Sequence, residues 1–381
     1  MKKPTLRFKG FDGEWVEKTL DEASTYIKSG KNRERVLSGM YPVYGSTGII
    51  GSCNNYQYDG ESILIARVGA NAGLLNLVNG KYDVSDNTLI LKLLKDNNQF
   101  VKYNLGFRNL NRLVFGSGQP LITAGQLKNI EIAFASSTEQ NKIGSFFAEL
   151  DSLIEEKRVK LDKLKKLKQA YLGKMFPKKG FRVPEVRFKG FTGEWEEVVL
   201  SDLVVEVTRK AEANSTAPVM MISASDGFIN QSEKYSSDNA GSSLKNYTLL
   251  KKGELAYNHG YSKLRNYGSC FTLNCQEARV PFVYHTFSLK YDDPQFYGLY
   301  LNSGLFDKEL KKRVASSARM DGLLNITFAD YTSLVVLRPN RSEQKKIASF
   351  FQNLDNLINL QQQELDKLAN IKSACLSKMF A

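Results

Sequence analysis

The stretch EQNKIGSFFAELDSLI, residues 139–154, returns almost unchanged as EQKKIASFFQNLDNLI, residues 343–358. The two copies begin 204 residues apart (343 minus 139), and the same offset relates the strings GKMF and SKMF further along the chain. A second pair, RFKGFDGEW at 7–15 and RFKGFTGEW at 187–195, is 180 residues apart (187 minus 7). The chain is therefore an internal repeat, in which each copy contains one variable segment followed by one conserved segment.

The conserved segments predict two long helices. Apolar residues recur at steps of four and three through both copies, and we call this line of residues the seam. Polar residues interrupt it at two matching places, Lys157 and Lys168 in the first copy and Gln361 and Lys372 in the second. Such residues commonly fix the register and the partner of a coiled coil. At about 1.5 Å per residue, roughly 37 residues give a helix about 55 Å long.

A third apolar column runs beside the seam in both helices. Its members are Phe146, Leu153, Phe350 and Leu357. The column makes the apolar stripe of each helix wider than a simple two-stranded coil requires. We therefore expect these four side chains to bind additional partners.

The variable segments predict mixed α/β domains. SILIARVG and NTLILKLL in the first segment, and ELAYN and HTFSLKY in the second, are typical of strands. Asp293-Pro294 is typical of a helix start. The expected fold is α/β, with two similar globular domains separated by two long helices. The predicted boundaries are 1–138 for the first globular domain, 139–176 for the central helix, 177–183 for a linker, 184–341 for the second globular domain and 342–381 for the C-terminal helix.

Charge and composition indicate a polyanionic partner. The 381 residues carry a formal net charge of +13 at pH 7, which attracts nucleic acid first and a membrane surface second. No apolar run approaches the roughly 20 residues that span a bilayer, and no signal-peptide core follows the basic N-terminus. We therefore expect a cytoplasmic protein. The four cysteines have neither the spacing of a zinc site nor the density of a disulfide scaffold, so we expect reduced thiols.

Motifs for the obvious enzymatic alternatives are missing from the sequence. It has no Pro-Pro pair, which amino-methyltransferases use to position the target amino group, no GxGxxG turn and no GxxxxGK[ST] phosphate loop. Its histidines, His259 and His285, have no HExxH or cysteine-rich context, and packed or surface positions are the better interpretation. We therefore expect a chain without catalysis of its own.

The segment PVYGSTGIIGSCNNYQYDGESILIARVGANAG, residues 42–73, resembles the target recognition domain of specificity subunits in type I restriction-modification systems. The repeated EQxKIxxFFxxLDxLI helices resemble the spacer helices of the same family, so the resemblance extends over essentially the whole chain. It implies that each recognition domain reads one half of a bipartite, asymmetric DNA site in the major groove. It also implies that the helices pack as an antiparallel coiled coil, giving a pseudo-two-fold internal repeat.

The resemblance further implies the partners and cofactors. The expected partners are double-stranded DNA, two modification (methyltransferase) subunits on the wide helix stripes, and restriction (translocase and nuclease) subunits. The methyl donor, ATP and magnesium are then expected in those partner subunits, with no cofactor in this chain and no membrane contact. The competing hypothesis is a coiled-coil scaffold whose globular domains bind protein or an anionic membrane.

Residues that read bases are polar and lie on loops or helix ends that can enter a groove. In the first domain we predict contacts from Tyr44, Ser46, Thr47, Arg67, Asn71, Ser117 and Gln119, with Arg108 and Arg112 on phosphates. In the second we predict Tyr257, Asn258, Lys263, Arg265, Asn266, Ser317 and Arg319, with Lys312 and Arg313 on phosphates. The alternative is structural: the glycines around residue 45 form a tight turn, and Arg67 pairs with a carboxylate.

The run KRVKLDKLKKLKQ, residues 157–169, leaves three interpretations open. It is a solvated flank of the coiled coil, a surface facing the DNA backbone, or an amphipathic site for a membrane or a calmodulin-like partner. The third is the weakest, because the matching stretch of the second copy keeps the seam and lacks the basic residues.

Overall fold

The computed structural model describes residues 4–34, 36, 38–113, 121–212, 215–234, 241–314 and 323–380. The chain divides into two compact units. The first unit comprises Met1–Lys160 and Gln361–Ala381, and the second comprises Leu161–Leu360. Within the described ranges, no helix is both long enough and apolar enough to cross a membrane.

The first unit contains the first variable segment and parts of both long helices. Its strands are β1 (Val16–Thr19), β2 (Ser24–Ser29), β3 (Tyr41–Gly45), β4 (Gly48–Cys53), β5 (Tyr58–Asp59), β6 (Ser62–Ala66), β7 (Leu75–Val78), β8 (Lys81–Val84), β9 (Thr88–Leu93) and β10 (Glu131–Phe134). Its helices are α1 (Leu20–Ala23), α2 (Asn98–Phe107), α3 (Ala124–Lys128) and α4 (Ser137–Lys174), with a 3-10 turn at Leu110–Leu113. Residues of α4 beyond Lys160 belong to the second unit.

Two sheets and a ribbon form the first unit. One sheet has the order β2-β9-β6-β7, the other has the order β4-β3-β8-β5, and β1 pairs with β10. All five residues of β6 are buried because both faces of its sheet are covered. Ile63 and Ile65 join the core that contains Phe100 and Phe147, whereas Leu64 points to a smaller core around Tyr82. This two-sided burial explains why the last four residues of β6, ILIA, are apolar without alternation.

The second unit repeats the plan of the first. Its strands are β11 (Glu196–Val199), β12 (Val204–Glu206), β13 (Met220–Ser223), β14 (Gly227–Asn230), β15 (Thr248–Lys251), β16 (Leu255–Asn258), β17 (Ser269–Thr272), β18 (Glu277–Val280), β19 (His285–Leu289) and β20 (Val335–Arg338). Its helices are α5 (Leu200–Leu203), α6 (Gln231–Lys234), α7 (Pro294–Leu301), α8 (Asp307–Arg313), α9 (Phe328–Thr332) and α10 (Arg341–Phe380), with a 3-10 turn at Gly241–Asn246. Residues of α10 from Gln361 onward belong to the first unit.

Sheet order shows which parts of the two units correspond. The order β12-β19-β16-β17 matches β2-β9-β6-β7, and the ribbon β11-β20 matches β1-β10. The remaining strands differ, because the second unit has the separate pairs β13-β14 and β15-β18 in place of the sheet β4-β3-β8-β5. The predicted class of two similar mixed α/β domains with two long helices is confirmed.

Helices α4 and α10 are antiparallel within each unit. In the first unit Lys372 Nζ contacts Asp151 Oδ1, and Lys157 Nζ lies 2.7 Å from Glu364 Oε2. In the second unit Lys168 Nζ lies 2.5 Å from Asp355 Oδ1. The residue numbers in these pairs increase along α4 as they decrease along α10. Three of the four polar seam positions therefore pair with carboxylates across the coil, as their interpretation as register residues predicts, whereas Gln361 bonds Glu364 of its own helix.

Candidate nucleic-acid interface

The two repeated motifs of the first unit meet at the start of α4. Arg7 binds Glu139 through two hydrogen bonds, Nε to Oε1 at 2.8 Å and Nη2 to Oε2 at 2.6 Å. Trp15 Nε1 donates to the same carboxylate at 3.1 Å. The hydrogen bonds to Glu139 raise the pKa of Arg7. The carboxylate lies in the first helical turn, where negative charge is favoured, and it is almost fully buried.

The second unit builds the same contact with its own copies of the motifs. Arg187 binds Glu343 with Nε to Oε1 at 2.7 Å and Nη2 to Oε2 at 2.8 Å. Trp195 is equally buried, but its Nε1 has no hydrogen-bond partner among the described residues. We call these two arginine–glutamate contacts, with the aromatic rings around them, the helix joints.

Aromatic packing completes each helix joint. Phe8 lies edge-to-face against Phe146 with ring centroids 5.6 Å apart, and Phe188 packs on Phe350 in the same way at 5.9 Å. Phe146 and Phe350 were predicted to bind partner proteins. In the structure the aromatic rings of the RFKGF motifs partly cover both side chains, which are half-buried, and their contact with partners stays a prediction. Sequence reasoning missed the joint because its members are 132 residues apart in the first unit.

The glutamine of each EQ motif fixes a second helix. Gln140 accepts a hydrogen bond from the backbone N–H of Asn97 at 2.9 Å, and Asn97 is the N-cap of α2. Gln344 does the same for Asp293, the N-cap of α7, at 2.8 Å. The shared motifs therefore position each globular domain on the helices in the same way, and sequence differences are concentrated elsewhere.

Several candidates of the first unit converge at one edge of its sheets. Gly45 pairs with Gly48 in the β3–β4 hairpin, so Ser46 and Thr47 are the two residues of its turn. The Ser46 hydroxyl donates to the Asn87 carbonyl at 3.1 Å. Tyr44, the residue before Gly45, is half-buried against Tyr82. The glycines do serve a tight turn, and the turn presents the serine and the threonine.

Arg67 lies at the same edge of the sheets and is held there by backbone and side-chain hydrogen bonds. Its backbone N–H donates to the Asn87 carbonyl at 3.1 Å, and its Nη1 donates to Ser29 Oγ at 2.9 Å and to the Asp86 carbonyl at 3.4 Å. The alternative prediction of a carboxylate partner is wrong, because these acceptors are a hydroxyl and a backbone carbonyl. Its Nε is buried without a hydrogen-bond partner in the described part of the chain.

The remaining candidates of the first unit separate into two places. Asn71 is exposed on a turn, and Gly73 of that turn lies against Asn111, next to the exposed Arg112. Arg108 instead bonds Asn104 through Nε at 2.9 Å and lines a cleft with Trp15 and Phe380. Arg108 therefore lies near the helix joint and not at the edge that contains Arg67. Ser117 and Gln119 lie outside the described residues.

Tyr257 was predicted to read bases, and the structure places it in the core. Its side chain is 2% exposed, and its hydroxyl donates to the Tyr267 carbonyl at 2.6 Å. Its ring stacks on Tyr331 with centroids 3.9 Å apart. Burial raises the pKa of its hydroxyl. A side chain fixed in this way cannot enter a DNA groove, so this residue leaves the candidate set.

The other second-unit candidates divide between structural and exposed positions. Asn258 accepts a hydrogen bond from Gly260 N at 2.9 Å and is half-buried, whereas Lys263 and Asn266 are exposed beyond it. Arg265 is half-buried in a turn. Ser317 and Arg319 lie outside the described residues.

The two residues of α8 that we predicted to contact phosphates, Lys312 and Arg313, both contact Glu309. Lys312 Nζ lies 3.0 Å from Glu309 Oε1, and Arg313 donates from Nε to Ser333 Oγ at 2.9 Å and from Nη1 to the Glu309 carbonyl at 2.9 Å. Hydrogen bonds from Lys312 and Lys179 lower the pKa of Glu309 to about 2. Lys312 remains exposed, while Arg313 connects α8 to α9.

His259 occupies the position that Arg67 has in the first unit. The Arg67 carbonyl accepts from Ile122 N at 2.8 Å, and the His259 carbonyl accepts from Leu324 N at 2.8 Å. The imidazole is 3% exposed, with Nδ1 2.7 Å from the Leu324 carbonyl. It stacks parallel to His285 with centroids 4.9 Å apart. The prediction of a packed histidine is confirmed, and no sequence signal reveals its equivalence to an arginine.

The helix faces retain exposed apolar side chains beyond the joints. Leu153 is 38% exposed in the first unit and Leu357 is 51% exposed in the second. Leu167 at 43% and Ile371 at 40% belong to the same column beside the seam. Among the described residues, no group of histidine, cysteine, aspartate and glutamate side chains could hold a metal ion, and the four cysteines there form no disulfide.

Comparison with known proteins agrees with this architecture. The S subunit of a type I restriction-modification system from M. genitalium matches 100% of this chain and 99% of its own, with a TM-score of 0.67 and 16% sequence identity. Residues 13–166 match the model of the type I restriction modification DNA specificity domain. The chain thus has the fold of a type I specificity subunit, and the specificity-domain match covers its residues 13–166.

Two curated relatives match shorter segments. The EcoprrI specificity subunit of Escherichia coli is 29% identical over 155 residues, which are 39% of this chain and 39% of that protein. A putative type I specificity subunit of Mycoplasma pneumoniae is 28% identical over 122 residues, which are 30% of this chain and 40% of that protein. The aligned segments therefore cover less than half the length of either relative.

Proposed function

We propose that this chain is the DNA-binding specificity subunit of a type I restriction-modification complex. Each unit reads one half of a bipartite, asymmetric site in double-stranded DNA. The observation that carries the proposal is the specificity-domain match over residues 13–166, because the second unit repeats the helix joint and the sheet order of that matched region. Two similar domains with different loops suit two different half-sequences.

The loops at the Arg67 and His259 edges supply the DNA contacts in this proposal. In the first unit Ser46, Thr47, Arg67 and Asn71 lie at or next to that edge, and Arg112 is exposed beside Asn71. Arginine and asparagine are the side chains best suited to guanine and adenine, and exposed cations suit phosphates. In the second unit the exposed Lys263 and Asn266 take these roles.

The exposed apolar residues beside the seam dock the modification subunits. Leu153 and Leu357 are equivalent under the 204-residue offset (357 minus 153), and so are Leu167 and Ile371 (371 minus 167). The first unit therefore carries Leu153 of α4 and Ile371 of α10, and the second unit carries Leu357 of α10 and Leu167 of α4. Two equivalent patches, one in each unit, suit two copies of the same partner.

The chain is non-catalytic in this proposal. Methyl transfer, ATP-driven translocation and cleavage are the work of the modification and restriction subunits, which hold the methyl donor, ATP and magnesium. The role of this chain is to place those subunits on one DNA sequence through base contacts.

Mapping modified adenines across a genome tests the proposal. The host lacks this chain, and the cognate modification subunit is supplied with and without it. We expect methylation only when the chain is present, at one bipartite motif with a fixed gap. An unchanged methylome, with a modification subunit that is active alongside another specificity subunit, would overturn the proposal and favour the scaffold hypothesis.

A further inference from the structure

The connection between β16 and β17 ends in a tight turn. Ser262 and Arg265 exchange backbone hydrogen bonds of 3.1 and 3.2 Å, which leaves Lys263 and Leu264 as the two residues of the turn. The Ser262 hydroxyl also accepts a hydrogen bond from the Arg265 N–H at 3.0 Å. We call residues 261–266 the hairpin tip. Its own hydrogen bonds hold it in one conformation.

Apolar side chains are exposed on the hairpin tip among polar ones. Tyr261 is 63% exposed and Leu264 is 71% exposed. Lys263 and Asn266 are exposed between and beside them. Glycine, asparagine, aspartate, serine and proline dominate turns, so leucine at a turn position is not explained by local conformation.

The hairpin tip lies at the edge of the second unit that corresponds to the candidate edge of the first unit. Gly260, at its base, forms a bridge with Leu323, as Val68 does with Leu121 in the first unit. The cationic Lys263 favours a polyanion over an apolar protein surface. A two-stranded ribbon fits the major groove of B-DNA.

We propose that Leu264, with Tyr261 beside it, contacts the C5-methyl group of a thymine in the half-site read by the second unit. The inference rests on the proposed DNA-reading function. In the major groove the thymine methyl is the apolar group of the base edges, and contact with it is an established form of base readout. Lys263 then lies next to the phosphates, and Asn266 can pair with an adenine edge.

Replacing thymine by uracil tests the contact, because it removes the methyl group and leaves base pairing unchanged. The complex with modification subunits is titrated with duplexes in which each thymine of both half-sites is replaced in turn. We expect one uracil to weaken binding about fourfold, the equivalent of one buried methyl group. Leu264→Ala binds the thymine and uracil duplexes alike, and Leu264→Met, which keeps an apolar tip, retains the difference.

A matched variant controls for the loss of an exposed apolar side chain. Tyr291 is 73% exposed and follows β19, whose end lies beside the start of β16 and away from the hairpin tip. Tyr291→Ala is expected to show the wild-type response to uracil. The inference fails if wild-type protein binds its site specifically yet no uracil weakens binding, or if Leu264→Ala keeps the full difference. Absence of any preferred duplex overturns the DNA-reading function itself, and this contact with it.

Discussion

The two units are alike where they meet their helices and different at the opposite end of their sheets. Both bind a buried glutamate at the start of a long helix through an arginine, Arg7 in one and Arg187 in the other. At the far edge, Arg67 in the first unit corresponds to the buried His259 in the second. Packing constrains the joint, whereas the loop edge tolerates different residues because little of the core depends on it.

The largest expected effect is the loss of stability when the arginine of a helix joint is replaced, and the two joints should lose different amounts. Arg187→Met leaves Glu343 buried without its partner, which costs about 3 to 5 kcal/mol of unfolding free energy. Arg7→Met costs less, because Glu139 keeps its hydrogen bond from Trp15. The chain has two tryptophans, one in each joint, so fluorescence during denaturation reports each unit separately once the other tryptophan is replaced by phenylalanine.

A surface pair controls for the general effect of losing an arginine. Arg158 is 59% exposed on α4 and pairs with Glu155 at 3.0 Å. Arg158→Met is expected to change the unfolding free energy by less than about 0.5 kcal/mol. Equal losses for Arg7→Met and Arg187→Met would show that the Trp15 hydrogen bond adds nothing, and the two joints would then be energetically identical.

An intermediate effect is expected where the two units differ along the coil. Asp151 accepts a hydrogen bond from the Tyr103 hydroxyl at 2.7 Å in addition to its contact with Lys372. Tyr103 is buried, so Tyr103→Phe is expected to lower the unfolding free energy of the first unit by about 1.5 to 3 kcal/mol. Denaturation followed at Trp15 measures this change.

The second unit provides the matched substitution. Tyr171 packs edge-to-face on Phe350 with centroids 5.1 Å apart, and its hydroxyl has no hydrogen bond among the described residues. Tyr171→Phe is therefore expected to leave the unfolding free energy almost unchanged. If both tyrosine variants are neutral, the hydrogen bond from Tyr103 to Asp151 makes no net contribution to the stability of the first unit.

The periodicity of apolar residues in the sequence predicts the long helices and the central strand of the first unit. The seam predicts α4 and α10, and the uninterrupted apolar run of β6 predicts a strand buried on both faces. The joints were not predictable, because Arg7 and Glu139 are brought together by the fold and not by local spacing. Each motif was visible in the sequence as a repeat, yet nothing in either copy indicates that the two motifs bind each other.

The candidate site was less predictable than the frame. Tyr257 belongs to a strand whose first three residues are buried, as all five residues of β6 are, and its burial follows from that position. The equivalence of Arg67 and His259 depends on backbone hydrogen bonds to residues far along the chain. Loop residues are positioned by such long-range contacts, so one sequence alone does not place them.

The smallest expected effect is a difference in pH dependence between the units. Burial lowers the pKa of His285, which faces His259 and lies near Asp330. Protons therefore bind the unfolded second unit more readily, and its stability is complete above the unfolded histidine pKa of about 6.5 and falls as the pH decreases below it. One proton limits the slope to about 1.4 kcal/mol per pH unit.

The first unit contains no histidine and provides the comparison within the same chain. By strand pairing, Leu89 occupies its equivalent of position 285, so His285→Leu gives the second unit the residue of the first. Denaturation followed at Trp195 measures the unfolding free energy of the second unit between pH 7.5 and pH 5, the range of about one histidine titration. In this variant the unfolding free energy should depend less steeply on pH than in the wild-type protein. An unchanged slope would show that His285 does not cause the pH dependence, and His285 would then differ from Leu89 in packing alone.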